Sequence, residues 1–490
     1  MKRPLLTPEA MRLVEERAAT ELGLGPEILM EHAGRAVAEA ALATGARSIG
    51  VLAGPGRNGG DAFVAARLLA AHGCTVNVFW TGSVKGEGPA RVNLERLRKM
   101  DGVAWHDGPP WTPGPLDLLV DGVFGTGLAR PPEGAPRELI EWAASLSVPS
   151  VAIDVPSGLD AKSGEIPGAV LPALRTVTFG AARTGHLIGA GPDVTGAVVI
   201  DPISLPPSLM DGPLTWVDSP RGLLPELSRH DDKVARGSVL VVAGSVGMAG
   251  AAALAAKGAL GAAAGLVTLA VPREIEGRFL AVCPEAKTLP LPADDGEAAE
   301  IVAKALPGAG AVVVGPGLGR TGRTRRLLEA ALGAGDRLPL VLDADALWAL
   351  SGMKAKLSSR TVITPHEGEF ARLFPQALGP SFERAAQAAR TTGAHVVLKG
   401  PASAVASPDG RVSIVTGASH VLAQGGSGDV LSGMLAAVLA RTTGDVLDAV
   451  AGTVAWHGQA SQVLAQEVGP GAGARRLADI LPRALEVGRA

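Results

Sequence analysis

The sequence predicts two α/β domains in one chain, and three observations carry that expectation. The chain has 490 residues, more than one core usually organises at about 150 residues per domain. Short β-branched runs alternate with helix-forming stretches, the pattern of a parallel sheet covered by helices, and this series occurs twice. Between Asp201 and Arg236 the alternation breaks into Pro-rich, charge-dotted sequence, DPISLPPSLMDGPLTW and then SRHDDKVARG. That break places the boundary near Asp211 to Ser219 and gives domains of 1–212 and 220–490.

Along the chain, residues Pro8 to Leu42 show helical spacing around Met11, Val14, Leu22, Ile28, Leu29 and Val37. The first strand is expected at Ser48 to Ala53. VNVFW, DLLVDGVF, PSVAIDV and RTVTFG read as further strands, with DAFVAARLLAAHG and PRELIEWAASL as helices among them. After the break come VLVVAG, LVTLAV, AVVVGPGLG, PLVLDADAL, TVITPHEGEF and HVVLKGP, then a glycine turn opening a helix at GGSGDVLSGMLAAVLA. The uncharged stretch Val239 to Ala256 approaches the roughly 18 to 20 residues of a bilayer span. Its internal order is strand, glycine turn, helix former, so a buried βα unit and no membrane partner are expected.

Composition excludes several classes. Hydrophobic residues make up 47% and charged residues 19%, with 45 Lys and Arg against 48 Asp and Glu, a formal charge of −3. A core forms readily, but there is no cationic surplus for a polyanion. Aromatics are only 3%, with no Tyr, so platforms for stacking bases are scarce and no nucleic-acid partner is expected. The 65 Gly and 37 Pro fall in no repeat or biased tract, which points to turns and close backbone approaches. Cys74 and Cys283 form no CxxC or Cys/His cluster, against a disulfide framework or structural zinc and in keeping with a reducing cytoplasm. The opening MKRPLLTPEAMRLVEERA is charged throughout and lacks the apolar core of a signal peptide.

In the first half, GPGRNGGDAFVAAR, Gly54 to Arg67, follows a strand and opens a helix, where backbone N–H groups and the helix dipole attract phosphate. It has neither the GKS/GKT ending of a P-loop nor the dinucleotide glycine spacing, so an anion cradle and a plain tight turn both stay open. Asp121 in LLVDGVFGTGLARP and Asp154 in VAIDVPSGLD lie at strand ends. The C-terminal ends of parallel strands share one crevice, which would bring Asn58, Asp121, Asp154 and Ser157 together. Turn capping is the other reading of the two acids. Oxygen ligands without a His or Cys cluster suit a hard cation.

In the second half, GGSGDVLSG, Gly425 to Gly433, delivers Asp429 at a helix start among several backbone donors. Such donors hold transferring phosphate oxygens while a carboxylate orients or deprotonates the attacking hydroxyl. A glycine turn with a helix-start acid is the plainer alternative. TPHEGEF puts His366 and Glu369 on one turn, Glu369 within reach of a magnesium ion and His366 of a substrate, although a lone His more often packs. LKGPAS ends a strand with Lys399 and small residues up to Ser403, fitting a nucleotide phosphate or simply a solvated lysine. Gly317 leaves room for a ligand or serves its turn. Asp343 and Asp345 in LDADALW offer cation or substrate contact, or helix capping.

LMEHAGRAVAEA, GPGRNGGDAFVAAR, VDGVFGTGL and AIDVPSGLD, in this order, resemble the NAD(P)H-hydrate epimerase domain, a Rossmann-like three-layer α/β/α fold, over residues 1 to about 210. VVAGSVGMAGAAALAAKGAL, VGPGLG, VLDADAL, ITPHEGEF, VLKGPAS and GGSGDVLSGMLA resemble the ribokinase-like NAD(P)H-hydrate dehydratase domain over about 220 to 490. The first resemblance implies that Arg57, Asn58, Gly59, Gly60 and Asp61, with Gly125, Thr126, Gly127, Leu128, Ala129, Arg130 and Pro131, hold the dinucleotide. It also implies that Asn58, Asp121 and Ser157 bind potassium and that Asp154 is the catalytic group at the hydrated nicotinamide. The second implies AMP contacts at Lys399, Gly400, Pro401, Ala402, Ser403 and Gly428. It further implies hydrate contacts at Ala251, Gly317, His366 and Asp429, with Asp429 catalytic.

Departures from the family pattern are small: Arg57 where Asn is frequent, Ala62 for Gly, His32 for Asn, Glu367 for Pro, and DDKVARG for HKG. The resemblance implies a cytoplasmic isomerase and lyase using potassium, magnesium and ADP on NADH and NADPH hydrates (NADHX and NADPHX), and a homo-oligomer is expected. A ribokinase-like small-alcohol kinase with an N-terminal nucleotide-binding domain is the alternative.

Overall fold

The computed structural model describes residues 1–84, 86–128, 130–353 and 356–487. The chain divides into two compact units, Pro4–Gly212 and Pro213–Ala490, the second including Met1–Arg3.

The first unit is a parallel sheet of seven strands: β1 Ser48–Ala53, β2 Thr75–Trp80, β3 Val103–Asp107, β4 Leu118–Gly122, β5 Ser150–Ile153, β6 Arg175–Phe179 and β7 Ala197–Asp201. Their order is β3-β2-β1-β4-β5-β6-β7, all pairs parallel. Side chains alternate between faces along each strand. Ile49, Val51, Val120 and Ile153 therefore share a core with Val37, Phe63 and Leu69 of the helices Pro26–Leu42 and Arg57–Ala71. Leu52, Phe79 and Leu119 meet Leu139 and Ile140 in a separate core. Three layers result.

The helical spacing expected from Pro8 to Leu42 resolves into two helices, Pro8–Leu22 and Pro26–Leu42. Thr7 Oγ1 accepts from the Ala10 N–H at 3.2 Å and Gly23 closes the first helix at φ 70°. The break shifts the phase of the apolar stripe. Met11, Val14, Leu29 and Val37 are buried as expected, whereas Leu22 and Ile28 are exposed. At the other end of this unit, Leu5 and Leu6 pair in parallel with Ala182 and Arg183, which fixes the backbone just after β6.

The second unit holds β8 Leu214–Val217, β9 Ser238–Val242, β10 Leu266–Pro272, β11 Lys287–Leu291, β12 Ala311–Val314, β13 Leu340–Leu342, β14 Thr361–Ile363, β15 His395–Leu398, β16 Ser403–Ala406 and β17 Val412–Val415. The order is β11-β10-β9-β12-β13-β14-β15-β16-β17-β8. Strands from β11 to β15 pair in parallel, β15-β16-β17 is an antiparallel meander, and β8 is parallel to β17. The stretch Val239 to Ala256 is β9 and the start of the helix Ala249–Gly261. Among the described residues, no helix is long and apolar enough to cross a membrane.

Helices Ala249–Gly261 and Ser427–Leu439 pack into one core with Val239, Val241, Val313 and Val397. They touch at two glycines: a Cβ on Gly258 would lie 2.1 Å from the Val430 carbonyl oxygen, and one on Gly433 would lie 1.9 Å from that of Ala255. No other residue fits there. This contact fixes where the glycine turn before Ser427 stands relative to the sheet. Cys74 and Cys283 are buried and free.

Candidate functional site

Both units gather reactive groups at the C-terminal ends of their parallel strands. In the first, the strand order reverses between β1 and β4, and the crevice at such a reversal is where open α/β sheets bind ligands. Asn58 opens the helix that follows β1, Asp121 ends β4, Asp154 follows β5, and Ser157 lies in the turn beyond it.

The structure brings three of them, Asn58, Asp121 and Ser157, together around the Phe124 carbonyl. Asn58 Nδ2 donates to the carbonyls of Phe124 at 2.9 Å and Ile153 at 3.1 Å. Asp121, 0% exposed, accepts from the Ser157 N–H at 2.8 Å and from Ser157 Oγ at 2.5 Å. Burial pushes the Asp121 carboxyl up to about 6, against the pull of those Ser157 bonds. Among the described residues no cationic side chain pairs with Asp121. The Asn58 amide commits its nitrogen to carbonyls, while a Cβ on Gly125 would crowd its Oδ1 at 2.9 Å, so the glycine keeps that oxygen accessible. One buried carboxylate with amide and hydroxyl oxygens fits a weakly charged hard cation. No group of three His, Cys, Asp or Glu side chains that could hold a metal occurs among the described residues.

Asp154 stands apart from that set. Its backbone is left-handed at φ 62°, a strained conformation for a residue with a Cβ. Oδ1 accepts from Thr178 Oγ1 at 2.9 Å and from Arg183 Nη2 at 3.1 Å. Arg183 is itself buried and also donates to the carbonyls of Phe179 and Ala181. His186 bonds the Asp154 carbonyl through Nε2 at 2.9 Å and accepts the Arg183 N–H on Nδ1. Burial lowers the His186 pKa to about 4, so the ring is neutral and its tautomer is set by those two bonds.

Sequence reading missed Arg183, His186, Thr178 and Glu15. GAARTGH, a cation and an imidazole directly after a strand, was the available signal for the first two. Glu15, from the helix Pro8–Leu22, reaches Arg57 Nη1 at 2.9 Å. Burial raises the Glu15 carboxyl, and burial raises Asp61 well above the usual range, with Asp154 and Glu15 adding to the effect. Gly59 packs on Gly54, where a Cβ would meet the Gly54 carbonyl oxygen at 2.0 Å. Gly60 is buried against Met30. Thr126 and Leu128 are half-buried in the loop after β4, and Gly127, Arg130 and Pro131 are exposed. Ala129 lies outside the described residues.

In the second unit, β13, β14 and β15 end side by side. Lys399 donates its N–H to the Pro365 carbonyl at 2.9 Å, and His366 and Lys399 form a parallel bridge. Lys399 Nζ bonds Asp343 Oδ1 at 2.9 Å. Gly428 closes on the same pair, since a Cβ there would lie 3.3 Å from Lys399 Nζ and 3.7 Å from Asp343 Oδ2. Asp429 follows on the first turn of the helix Ser427–Leu439. Burial raises its carboxyl to about 7, with Asp343 adding and Lys399 opposing. A carboxyl poised there can take a proton near neutral pH.

Ala251 and Gly317 meet: Gly317 is at φ 64°, and a Cβ on it would lie 2.9 Å from the Ala251 Cβ and 2.8 Å from the Met248 carbonyl oxygen. Ser245 Oγ ties this loop to the Gly317 carbonyl at 2.8 Å. Asp345 accepts the Gly319 N–H at 2.8 Å, so it braces the loop. Leu254, one turn along from Ala251, packs where a Cβ on Gly426 would be, at 2.5 Å, which links this pair to the glycine turn. The turn Gly400–Ser403 is closed by Ser403 Oγ, which takes the Gly400 N–H at 3.3 Å and donates to its carbonyl at 3.2 Å. Gly400 and Pro401 are exposed at its tip and Ala402 is half-buried.

Glu369 caps a helix start. Its Oε2 accepts the His366 N–H at 3.0 Å and faces the His366 ring at 3.5 Å, while His366 Nδ1 accepts the Gly368 N–H. This reciprocal cap uses the carboxylate on the helix start Glu367–Leu373. The His366 ring is 61% exposed and open to a ligand. Glu367 pairs with Arg384.

A family model described as NAD(P)H-hydrate dehydratase matches residues 239–483, and one described as YjeF-related protein N-terminus matches 26–185. The bifunctional NAD(P)H-hydrate repair enzyme Nnr of Gloeobacter violaceus is 39% identical over 92% of this chain and 91% of its own length. The enzyme of the same name from Escherichia coli K12 is 35% identical over 94% of this chain and 89% of its own. Among solved structures, a ribokinase-like superfamily protein from Enterococcus faecalis V583 superposes with a TM-score of 0.50 at 23% identity. It covers 57% of this chain and 97% of that one, and shows the fold alone. With both halves matched and relatives aligned across nearly the whole length, the chain belongs to the family of bifunctional NAD(P)H-hydrate repair enzymes.

Proposed function

We propose that this protein repairs hydrated nicotinamide cofactors. Its first unit interconverts the R and S hydrates of NADH and NADPH, and its second dehydrates the S form with ADP, releasing AMP and phosphate. The observation that carries this reading is the meeting of Asp429, Gly428 and the Lys399–Asp343 pair at one set of strand ends.

Hydroxide is a poor leaving group at neutral pH. Asp429 accepts the proton of the hydrate's hydroxyl as its oxygen attacks the β-phosphorus of ADP, and AMP departs. Lys399 and the N–H groups at the helix start hold the phosphate charge during transfer. The ring nitrogen lone pair then expels phosphate, breaking the C–O bond, and loss of a proton from the neighbouring carbon restores the double bond. Ala251, Gly317 and His366 are placed to hold the hydrate. Magnesium supplies charge neutralisation at the nucleotide phosphates. With Glu369 committed to its helix cap, the reading does not rest on a magnesium ligand at that position.

In the first unit the ring nitrogen lone pair expels the hydroxyl, which leaves as water with a proton passed by Asp154, and Asp154, steadied by Arg183 and Thr178, takes a proton back from the water that adds to the other face. Asn58, Asp121 and Ser157 would hold potassium, which supplies a fixed positive charge at the crevice. The start of the helix Arg57–Ala71 and the segment that follows β4 frame the dinucleotide. The reading places the enzyme in the cytoplasm as a homo-oligomer.

The test is recovery of reduced-nicotinamide absorbance from hydrated cofactor with potassium, magnesium and either ADP or ATP. Free phosphate and NAD(P)H are expected. A stable phosphorylated alcohol would instead identify a small-alcohol kinase.

A further inference from the structure

His457 belongs to none of the contacts described above. It lies in the middle of the helix Val446–Val468, is 5% exposed, and its Nε2 sits 3.0 Å from the carbonyl oxygen of Ser427. A carbonyl only accepts, so Nε2 carries the proton. Ser427 is the first residue of the helix that presents Gly428 and Asp429.

The peptide unit joining Ser427 to Gly428 is planar and trans, so its C=O and N–H point in opposite directions as one rigid body. Fixing the Ser427 carbonyl from below fixes the Gly428 N–H above. That N–H belongs to the first turn, where no intrahelical acceptor exists. Gly428 itself stands beside the Lys399–Asp343 pair, since a Cβ on it would lie 3.3 Å from Lys399 Nζ. Resting on the reading of this turn as the phosphoryl-transfer site, we infer that His457 is a positioning residue, which aims the Gly428 N–H at the transferring phosphate through its bond to the Ser427 carbonyl.

The surroundings suit a fixed strut. The helix is anchored on one side by Trp456 Nε1 to the Leu481 carbonyl at 2.8 Å and Gln459 Nε2 to that of Ala484 at 2.9 Å. On the other, Ser461 Oγ accepts the Ser419 N–H at 2.9 Å and Ser419 Oγ donates to the Ser461 carbonyl at 3.0 Å, which ties down the segment leading into the turn. Burial and the charge of Lys399 keep the ring neutral, its pKa lowered to about 4, so the strut does not change with pH across the working range. Lys399 is the charged group that faces it.

The test compares His457→Leu, which has no donor, with His457→Gln, whose amide nitrogen reaches nearly the position of Nε2, in the full-length protein. For His457→Leu, kcat of dehydration should fall roughly 10- to 100-fold, short of the ~10²–10³ for deleting such a donor outright. ADP affinity by titration calorimetry should weaken by about tenfold, the scale of one charge-assisted hydrogen bond. The KM for the hydrate should hold. His457→Gln should recover most of both losses, and epimerisation by the first unit should be unchanged in both variants. Equal impairment of Leu and Gln, or no loss of ADP affinity in either, overturns the inference. A wild-type protein that binds ADP in this His457-dependent way without dehydrating the hydrate would overturn the assigned reaction and leave the positioning role standing.

Discussion

The guanidinium of Arg183 lies 3.1 Å from Oδ1 of Asp154, both side chains shielded from solvent. The pair links the strained backbone after β5 to the segment that follows β6, and two backbone carbonyls and Thr178 add hydrogen bonds to it, while Arg183 Nε is buried with no partner among the described residues. Removing one partner of such a pair leaves a buried charge uncompensated, which costs about 3–5 kcal/mol. Arg183→Met should therefore lower the unfolding temperature of the first unit and abolish epimerisation, with dehydration of the S hydrate continuing. Calorimetry and separate assays of the two activities check this. Loss of both activities together would mean that the two units do not fold independently.

Asp154→Ala separates the chemistry of the two units. A mixture of hydrate epimers with excess ADP should show rapid conversion of the usable epimer and then a plateau. The assay must be fast and include an enzyme-free control for spontaneous epimerisation. Consumption of both epimers at the wild-type rate would remove Asp154 from the epimerase mechanism.

Asp121 acts through the cation. Asp121→Ala should reduce epimerisation and flatten its dependence on potassium concentration, while dehydration of the S hydrate is unaffected. A potassium titration of both activities reads this directly, and a retained potassium response would move the cation elsewhere.

Asp429 couples activity to stability in opposite senses. Its pKa of about 7 makes the rate of dehydration rise with pH through neutrality as the base ionises, and Asp429→Asn should erase that limb and cut turnover by roughly two to four orders of magnitude. Because the folded-state value lies above the ordinary carboxylate value of about 3.9, the folded protein binds this proton more tightly than the unfolded chain. The group favours the fold most below about pH 4, and that contribution is lost as pH rises through about 7. The inactive Asn variant should thus melt roughly 2–4 °C higher than wild type at pH 8. An unchanged or lower melting temperature would contradict the buried, strained state of the carboxyl.

Gly317→Ala tests the hydrate pocket. The new methyl meets the Met248 carbonyl oxygen at 2.8 Å, and the left-handed backbone adds about 1–2 kcal/mol of strain. The KM for the hydrate should rise by roughly tenfold with ADP affinity preserved; a raised ADP Kd with unchanged hydrate KM would place the nucleotide, not the hydrate, at this loop.

Most of the central parallel strands, the glycine turns and the acids at strand ends were legible in the sequence because each is a local property, whereas strands such as Val103–Asp107, Leu214–Val217 and Val412–Val415 were not named. Short β-branched runs such as VLVVAG and the turns GPGRNGG and GGSGD declare themselves within a window of about 11–18 residues. Tertiary structure decided who partners whom. Arg183 and Asp154 are 29 residues apart, Ser427 and His457 30, Glu15 and Arg57 42, and Asp343 and Lys399 56. No local pattern spans those distances; parallel crossovers bring the strand ends of Asp154 and Arg183, and of Asp343 and Lys399, to one edge, and helix packing joins the other two pairs. The same holds for burial. The cap that Glu369 Oε2 gives the His366 N–H likewise appears only once the chain is folded. Asp121 and Asp429 carry raised pKa values chiefly because the packed sheet and helices remove their water, with Asp343 adding at Asp429.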